Sequence, residues 1–298
     1  MSPARPLAAG RDLEYDRFGP WVVEISPDDP VPPLFAPTVS STRDALMSIK
    51  VPRKVSRREA RPGMDLYDYV LVLREAEVQI HERVDTSVRS RTIAYGDIHQ
   101  LCLSEQLLRG ELRLGLTGED YALPYNTVSR DLMREVAGLI RRRYLDPTAQ
   151  APPLPPPAPS AGLSFYFERL LGEELADGTG RALATQETVS AAELSRGRLR
   201  RWLDRASGRR LLESLHVCDG AELRFIDRGA TYAYRWQTIY GRREMFMPVA
   251  NVRDASWEVG EDGSATLTVR SDGGAGSWVF AGDLSRLQPY RDWLQRLT

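Results

Sequence analysis

His81, His99 and His216 are the only imidazoles in the chain, and Cys102 and Cys218 the only thiols. A metal centre built from such groups needs three or four ligands at short, paired spacings. Asp97 lies two residues before His99 and shares its face if that stretch is extended. No second His or Cys stands at a spacing that completes the set. Each histidine therefore reads as a surface or satisfied structural group. Both cysteines lie in apolar, strand-like runs and read as small buried hydrophobes. "GTGR" at 178–181 lacks the lysine and preceding strand of a phosphate loop, and no nucleophile elbow is present. The expectation is a non-catalytic protein without cofactor or metal. The alternative is an enzyme with scattered carboxylates, such as Glu77 and Glu222, in a cleft between two halves.

Residues suited to recognition are more plentiful. "KVPRKVSRREAR", 50–61, carries six basic residues and one acid. "RGRLRRWLDRASGRR", 196–210, carries seven arginines and one aspartate. The candidates for an anionic surface are Lys50, Arg53, Lys54, Arg57 and Arg58 in the first stretch. In the second they are Arg198, Arg201, Arg205, Arg209 and Arg210. At helical spacing Leu199, Trp202, Leu203 and Ala206 share one face. Such a helix either docks that face on its own domain or lies on an anionic membrane or a partner groove. The docked version is the plainer expectation. In "TYAYRW", Tyr232, Tyr234 and Trp236 alternate at period two, as a strand lining a core or a ligand groove would. The formal net charge of −1 disfavours a general nucleic-acid binder.

These groups need a scaffold, and the periodicity describes one. Short period-two runs such as Leu112–Leu114–Leu116 and Leu267–Val269 predict half-buried antiparallel strands. Val128, Leu132, Val136, Leu139 and Ile140 keep helical spacing, with Ser129 as a candidate cap. Helices are also predicted over 163–176 and at the C-terminus, where Pro289 falls in the first turn. "APPLPPPAPS", 151–160, has six prolines and excludes helix and central strand. It reads as a polyproline spacer. The expected division is residues 1–148, a linker 149–162, and residues 163–298. No apolar run is long enough to span a bilayer, and no secretory leader is evident at the N-terminus, so a soluble cytoplasmic protein is expected.

"REAEVQIHER" at 74–83 and "DGAELRFIDR" at 219–228 nearly repeat one another. At an offset of 145, Arg53, Gly63, Leu66, Val72, Ala76, Glu77 and Arg83 each meet an identical residue. Roughly two identities would arise by chance over that length. An internal duplication of a β-rich unit with a closing helix is the reading.

Each block resembles a bacterial pleckstrin-homology-like (PH-like) domain. The resemblance rests on "YVLVLREAEVQIHERV", "RTIAYGDIHQLCL" and "GELRLGLTGEDYALPYN" before helix 128–144. In the second block it rests on "LHVCDGAELRFIDR", "MFMPVANVRDASWEV", "SATLTVRS" and "GSWVF" before the last helix. It implies an α+β or mainly β fold of two bent antiparallel sheets or split barrels, each closed by a C-terminal helix. Trp293 stands where family members often carry a helix tryptophan. The turns "REAE" and "CDGAE" are acidic or neutral, where phosphoinositide-binding members carry basic residues. The expected role is a scaffold binding a protein or peptide through these domains. The alternative from the Arg-rich segments is a peripheral binder of anionic membrane or nucleic acid, the latter disfavoured by the net charge.

Overall fold

A computed structural model describes residues 13–145, 152–159, 162–176, 178 and 180–298. The described chain is mainly β, with antiparallel sheets and few helices, and no sheet closes into a barrel. It divides into two compact units, Met1–Tyr95 with Val128–Val136, and Gly96–Thr127 with Ala137–Thr298. No described helix is long and apolar enough to cross a membrane.

The first unit holds helix α1 (Leu13–Arg17) and strands β1 (Val23–Glu24), β2 (Met47–Pro52), β3 (Tyr67–Leu73), β4 (Glu77–Val84) and β5 (Ser87–Ala94). They form one antiparallel meander in chain order. β2 and most of β3 are apolar at successive positions and are buried accordingly. β4 and β5 join through a two-residue turn, where Asp85 takes a φ of 56°. Phe18, Phe35, Val39, Leu66, Tyr67 and Val70 build the core of this unit. The Ser129 hydroxyl, just before the helix that starts at Arg130, accepts from the Val22 amide at 2.7 Å.

Helix α2 (Arg130–Tyr144) begins in the first unit and ends in the second. The second unit contains β6 (Ile98–Gln106), β7 (Arg109–Leu116) and β8 (Glu119–Asn126). After helix α3 (Phe165–Glu174) come β9 (Arg181–Gln186), β10 (Val189–Ser190), α4 (Ala191–Leu194) and α5 (Arg198–Ser207). Then follow β11 (Arg210–Leu211), β12 (Ser214–Cys218), β13 (Glu222–Asp227), β14 (Tyr232–Ala233) and β15 (Arg242–Pro248). The chain closes with β16 (Asp254–Val259), β17 (Ala265–Ser271), β18 (Gly274–Phe280) and α6 (Gln288–Leu294).

Seven of these strands form one sheet in the order β8-β7-β6-β15-β13-β12-β9. Small sheets β10-β11-β14 and β16-β17-β18 complete the unit. Arg242 to Phe246 of β15 pair antiparallel with Glu105 to Leu101 of β6. That ladder places residues 96–127 in the second unit. Aromatic packing fills the core: Phe225 stacks on Trp278 at 4.1 Å, and Trp293 and Tyr290 of α6 are buried beside them. Pro289 falls in the first turn of α6.

The expected linker lies partly outside the described residues, but 152–159 is not a free spacer. The Ala158 amide donates to Ala182 O, Arg181 donates to Leu154 O and Pro155 O, and the Trp293 indole donates to Pro152 O. The proline segment thus lies along the outer edge of β9, where its missing amides cost no ladder bonds.

Candidate interaction surfaces

His81, His216 and Cys218 are buried, whereas His99 and Cys102 are partly exposed. His216 is fully buried among Phe225, Trp278, Phe280 and Tyr290, and its Nδ1 meets the Tyr290 hydroxyl at 3.1 Å. Burial, helped by Arg243, pushes its pKa down to about 3. His81 Nδ1 lies 2.8 Å from the Ser90 hydroxyl, and burial with Arg74 lowers its pKa as well. His99 Nε2 lies 2.9 Å from the Thr117 hydroxyl. Burial pushes both thiols up to about 12, which suppresses the nucleophilic thiolate. Among the described residues no three His, Cys, Asp or Glu side chains cluster for a metal.

The two repeated glutamates differ. Glu77 is half-buried and accepts from Gln79 Nε2 at 2.7 Å. Glu222 is fully buried and accepts from Arg141 Nε at 3.0 Å, from Arg224 Nε at 3.3 Å and from the Tyr144 hydroxyl. Arg224 continues the network to Glu174 at 2.6 Å and Asp219 at 2.7 Å. Both Glu222 oxygens are thus engaged by donors, which makes it an anchor of this network.

Among the basic residues of the first segment only Lys50 is buried; Arg53 is half-buried, and Lys54, Arg57, Arg58 and Arg61 are exposed. Lys50 is 2 % exposed; its ammonium pairs with Asp29 and sits 4.7 Å from the Tyr67 ring centroid. Its place in the buried β2 corrects the expectation that it faces an anionic partner. Arg53 donates to Asp65 O at 3.0 Å. Arg57 is tied to the Tyr15 and Phe18 carbonyls and packs on the Tyr15 ring.

The second basic segment forms α5 as expected, but the helix is turned over. Leu199 is 72 % and Trp202 64 % exposed, with Leu203 and Ala206 beside them. The buried position is Asp204, which accepts from the Ser195 hydroxyl and pairs with Arg209 at 3.6 Å. At 100° per residue, Asp204 is on the side opposite the apolar stripe. The plainer expectation, an apolar face docked inward, is thereby corrected. Exposed Arg198 and Arg205 flank the stripe on one side and Arg200 on the other. Arg209 is half-buried, and its guanidinium also lies 4.0 Å from the Tyr232 ring. Arg201 donates to Ser195 O while remaining exposed, and Arg210 is exposed.

The "TYAYRW" strand stops at Ala233. Tyr234 and Gln237 close a turn on each other, and Tyr234 stacks on Trp236 at 5.1 Å, which leaves the latter 70 % exposed. Tyr232 instead lies half-buried in β14, so the three rings do not line one strand face.

A surface that composition did not single out lies at β16. This strand pairs with β17 on one side only and is the edge of its sheet. The Gly260 amide donates to Ser264 O at 2.8 Å, which sets the alternation of the ladder. Asp254, Ser256 and Glu258 therefore turn their backbone groups toward β17, and Ala255, Trp257 and Val259 turn theirs away. Beside this edge is a cleft of about 210 Å³ lined by Trp257, Val259, Leu284, Leu287, Gln288 and Arg291. An apolar trough beside a strand edge that no described strand covers can hold an extended peptide through its backbone. No family model matches the chain, and no curated protein matches it.

Proposed function

We propose that this is a non-catalytic interaction protein, built from two copies of a PH-like module, that binds an extended strand along the open edge of β16. Support for the two copies comes from element order. At the offset that sets Glu77 on Glu222, β3 and β4 overlie β12 and β13. At the offset that sets Tyr95 on Val249, β5 to β8 overlie β15 to β18, and α2 overlies α6. Each copy then runs through four meandering strands, three more, and a helix. The inserted α4, α5 and β14 lie in connections between strands of the second copy.

The observation that carries the binding reading is the contrast between equivalent edges. In the first copy β6 receives β15 as an antiparallel neighbour. In the second copy β16 has no such neighbour among the described strands. The chain itself thus contains one example of strand addition at this position and one unoccupied counterpart. A peptide there would gain ladder hydrogen bonds from Ala255, Trp257 and Val259 and place alternate side chains in the cleft.

Selection of displayed peptides against the full chain tests this, followed by binding to an Ala255→Pro variant. Proline removes one outward donor on an edge strand, where it is best tolerated. Loss of binding at least tenfold is expected; unchanged affinity would place the peptide elsewhere.

A second reading is favoured by the outward apolar face of α5. Leu199, Trp202 and Leu203 flanked by arginines have the composition of a helix lying in an anionic bilayer surface. Asp262 borders it; its carboxyl is held below the usual range mainly by Ser264, with Arg200 adding to the effect.

A further inference from the structure

The open edge of β16 has a counterpart elsewhere in the chain. Among the described strands β5 is the last of its sheet and pairs with β4 alone. It also overlies β15, the strand that caps β6. The β6–β15 register therefore translates directly onto a β16–β5 pair. Arg243 faces Ser104 in the observed ladder, and Glu244 faces Leu103. Carried over, Arg89 faces Glu258 and Ser90 faces Trp257, with Val88 opposite Val259.

Two independent features fit that register. The turn at Asp85 and Thr86 closes on Val84 and Ser87 as a hydrogen-bonded pair, as two-residue hairpins do. By alternation Val88, Ser90 and Thr92 aim their amides and carbonyls away from β4. Those are the residues that meet Val259, Trp257 and Ala255, whose backbone groups face outward on β16. The charges also match: β5 presents exposed Arg89, whereas β16 presents exposed Glu258. Opposite charges across a non-hydrogen-bonded pair stand close and stabilise the ladder. Arg89 already pairs with Glu82 on β4 at 2.5 Å, which holds its guanidinium on the face where Glu258 would arrive.

We propose that the strand received by β16 is β5 of a second copy of this chain, antiparallel, in the register that sets Arg89 opposite Glu258. This rests on the reading of β16 as a strand-accepting edge and names its partner. The contact is heterologous, since each copy offers one donor edge and one acceptor edge. Such contacts grow into rings or filaments according to the rotation between copies.

Sedimentation of the full chain across a concentration series tests it. The wild type should associate with rising concentration, and Glu258→Arg should weaken association about tenfold. Arg89→Glu should do the same. A mixture of the two single variants should associate like the wild type, because each mixed contact again sets Arg against Glu. Arg89→Glu also faces Glu82, so a second pair guards against misfolding: Arg89→Cys mixed with Glu258→Cys should form an intermolecular disulfide under mild oxidation. A chain that stays monomeric, or variants whose mixture does not recover, overturns the proposal. If selected foreign peptides still require the β16 edge in that case, only the self-assembly falls. If they do not, the β16 reading falls with it.

Discussion

The Arg141 guanidinium clasps the Glu222 carboxylate, which is fully buried. It bonds through Nε and Nη2 and lies over the Phe246 ring at 3.9 Å. This contact ties the end of α2 to β13 within the second unit, and Tyr144 adds a bond to the same carboxylate. The attraction of Glu222 for Arg141 raises the arginine's pKa even though burial opposes it. Breaking such a pair from one side leaves charge without compensation.

Glu222→Ala should therefore lower the unfolding free energy by about 3–5 kcal/mol, since Arg141 and Arg224 lose their shared partner. Glu77→Ala, at the matching but half-buried position, should cost less than about 1 kcal/mol. Urea denaturation of both variants measures the difference. Equal losses would mean that Glu222 is not the anchor of this network.

His216 makes stability depend on pH. Its folded pKa, about 3, lies below the value near 6.5 that it has when unfolded. The unfolded chain thus binds the extra proton between those limits. Stability from this group is complete above about pH 6.5 and is lost as pH falls toward 3, by roughly 1.4 kcal/mol per unit. His81 shifts in the same direction. His216→Phe should flatten the dependence of melting temperature on pH over that window. An unchanged slope would show that the ring is protonated in the folded state.

Gly208 ends α5 with a φ of 59°, and a Cβ there would stand 2.6 Å from the Arg235 Cβ. Gly208→Ala should cost about 1–2 kcal/mol from the left-handed conformation alone, with the clash adding to it. Thermal unfolding reads the loss. Since Arg235 leads into Trp236, the variant should also alter Trp236 fluorescence, compared against a Trp236→Phe background.

Much of the architecture was readable from the chain. The alternation of Val78 with Ile80 and of Leu267 with Val269 gives strands where strands stand. Pro289 and Trp293 occupy the first turn and the buried face of the last helix. What could not be read depends on partners distant in sequence. The spacing of Leu199, Trp202 and Leu203 defines a face but says nothing of what covers it, and buried Asp204 decides the orientation. Lys50 looks like the start of a basic stretch, yet Asp29, far along the chain, allows its burial. The β6–β15 ladder joins residues well over a hundred positions apart, and no local pattern encodes such a pairing.

The apolar stripe of α5 predicts vesicle binding. Sedimentation with vesicles containing anionic lipid should retain the chain at low salt, and neutral vesicles should not. Trp202→Glu should reduce binding about tenfold or more, because it replaces a large buried apolar contribution by a charge. Changing Arg198, Arg201 and Arg205 together to alanine should lower the salt sensitivity. Absence of binding at low salt would remove the membrane reading.

The claim on which the account turns is that β16 accepts a strand, and amide hydrogen exchange across residues 254–259 with a selected peptide bound measures it most directly. The account predicts that the amides of Ala255, Trp257 and Val259 slow at least tenfold, while those of Ser256 and Glu258, already bonded to β17, change little. Bound peptides that leave all of these amides exchanging as in the free chain would contradict it.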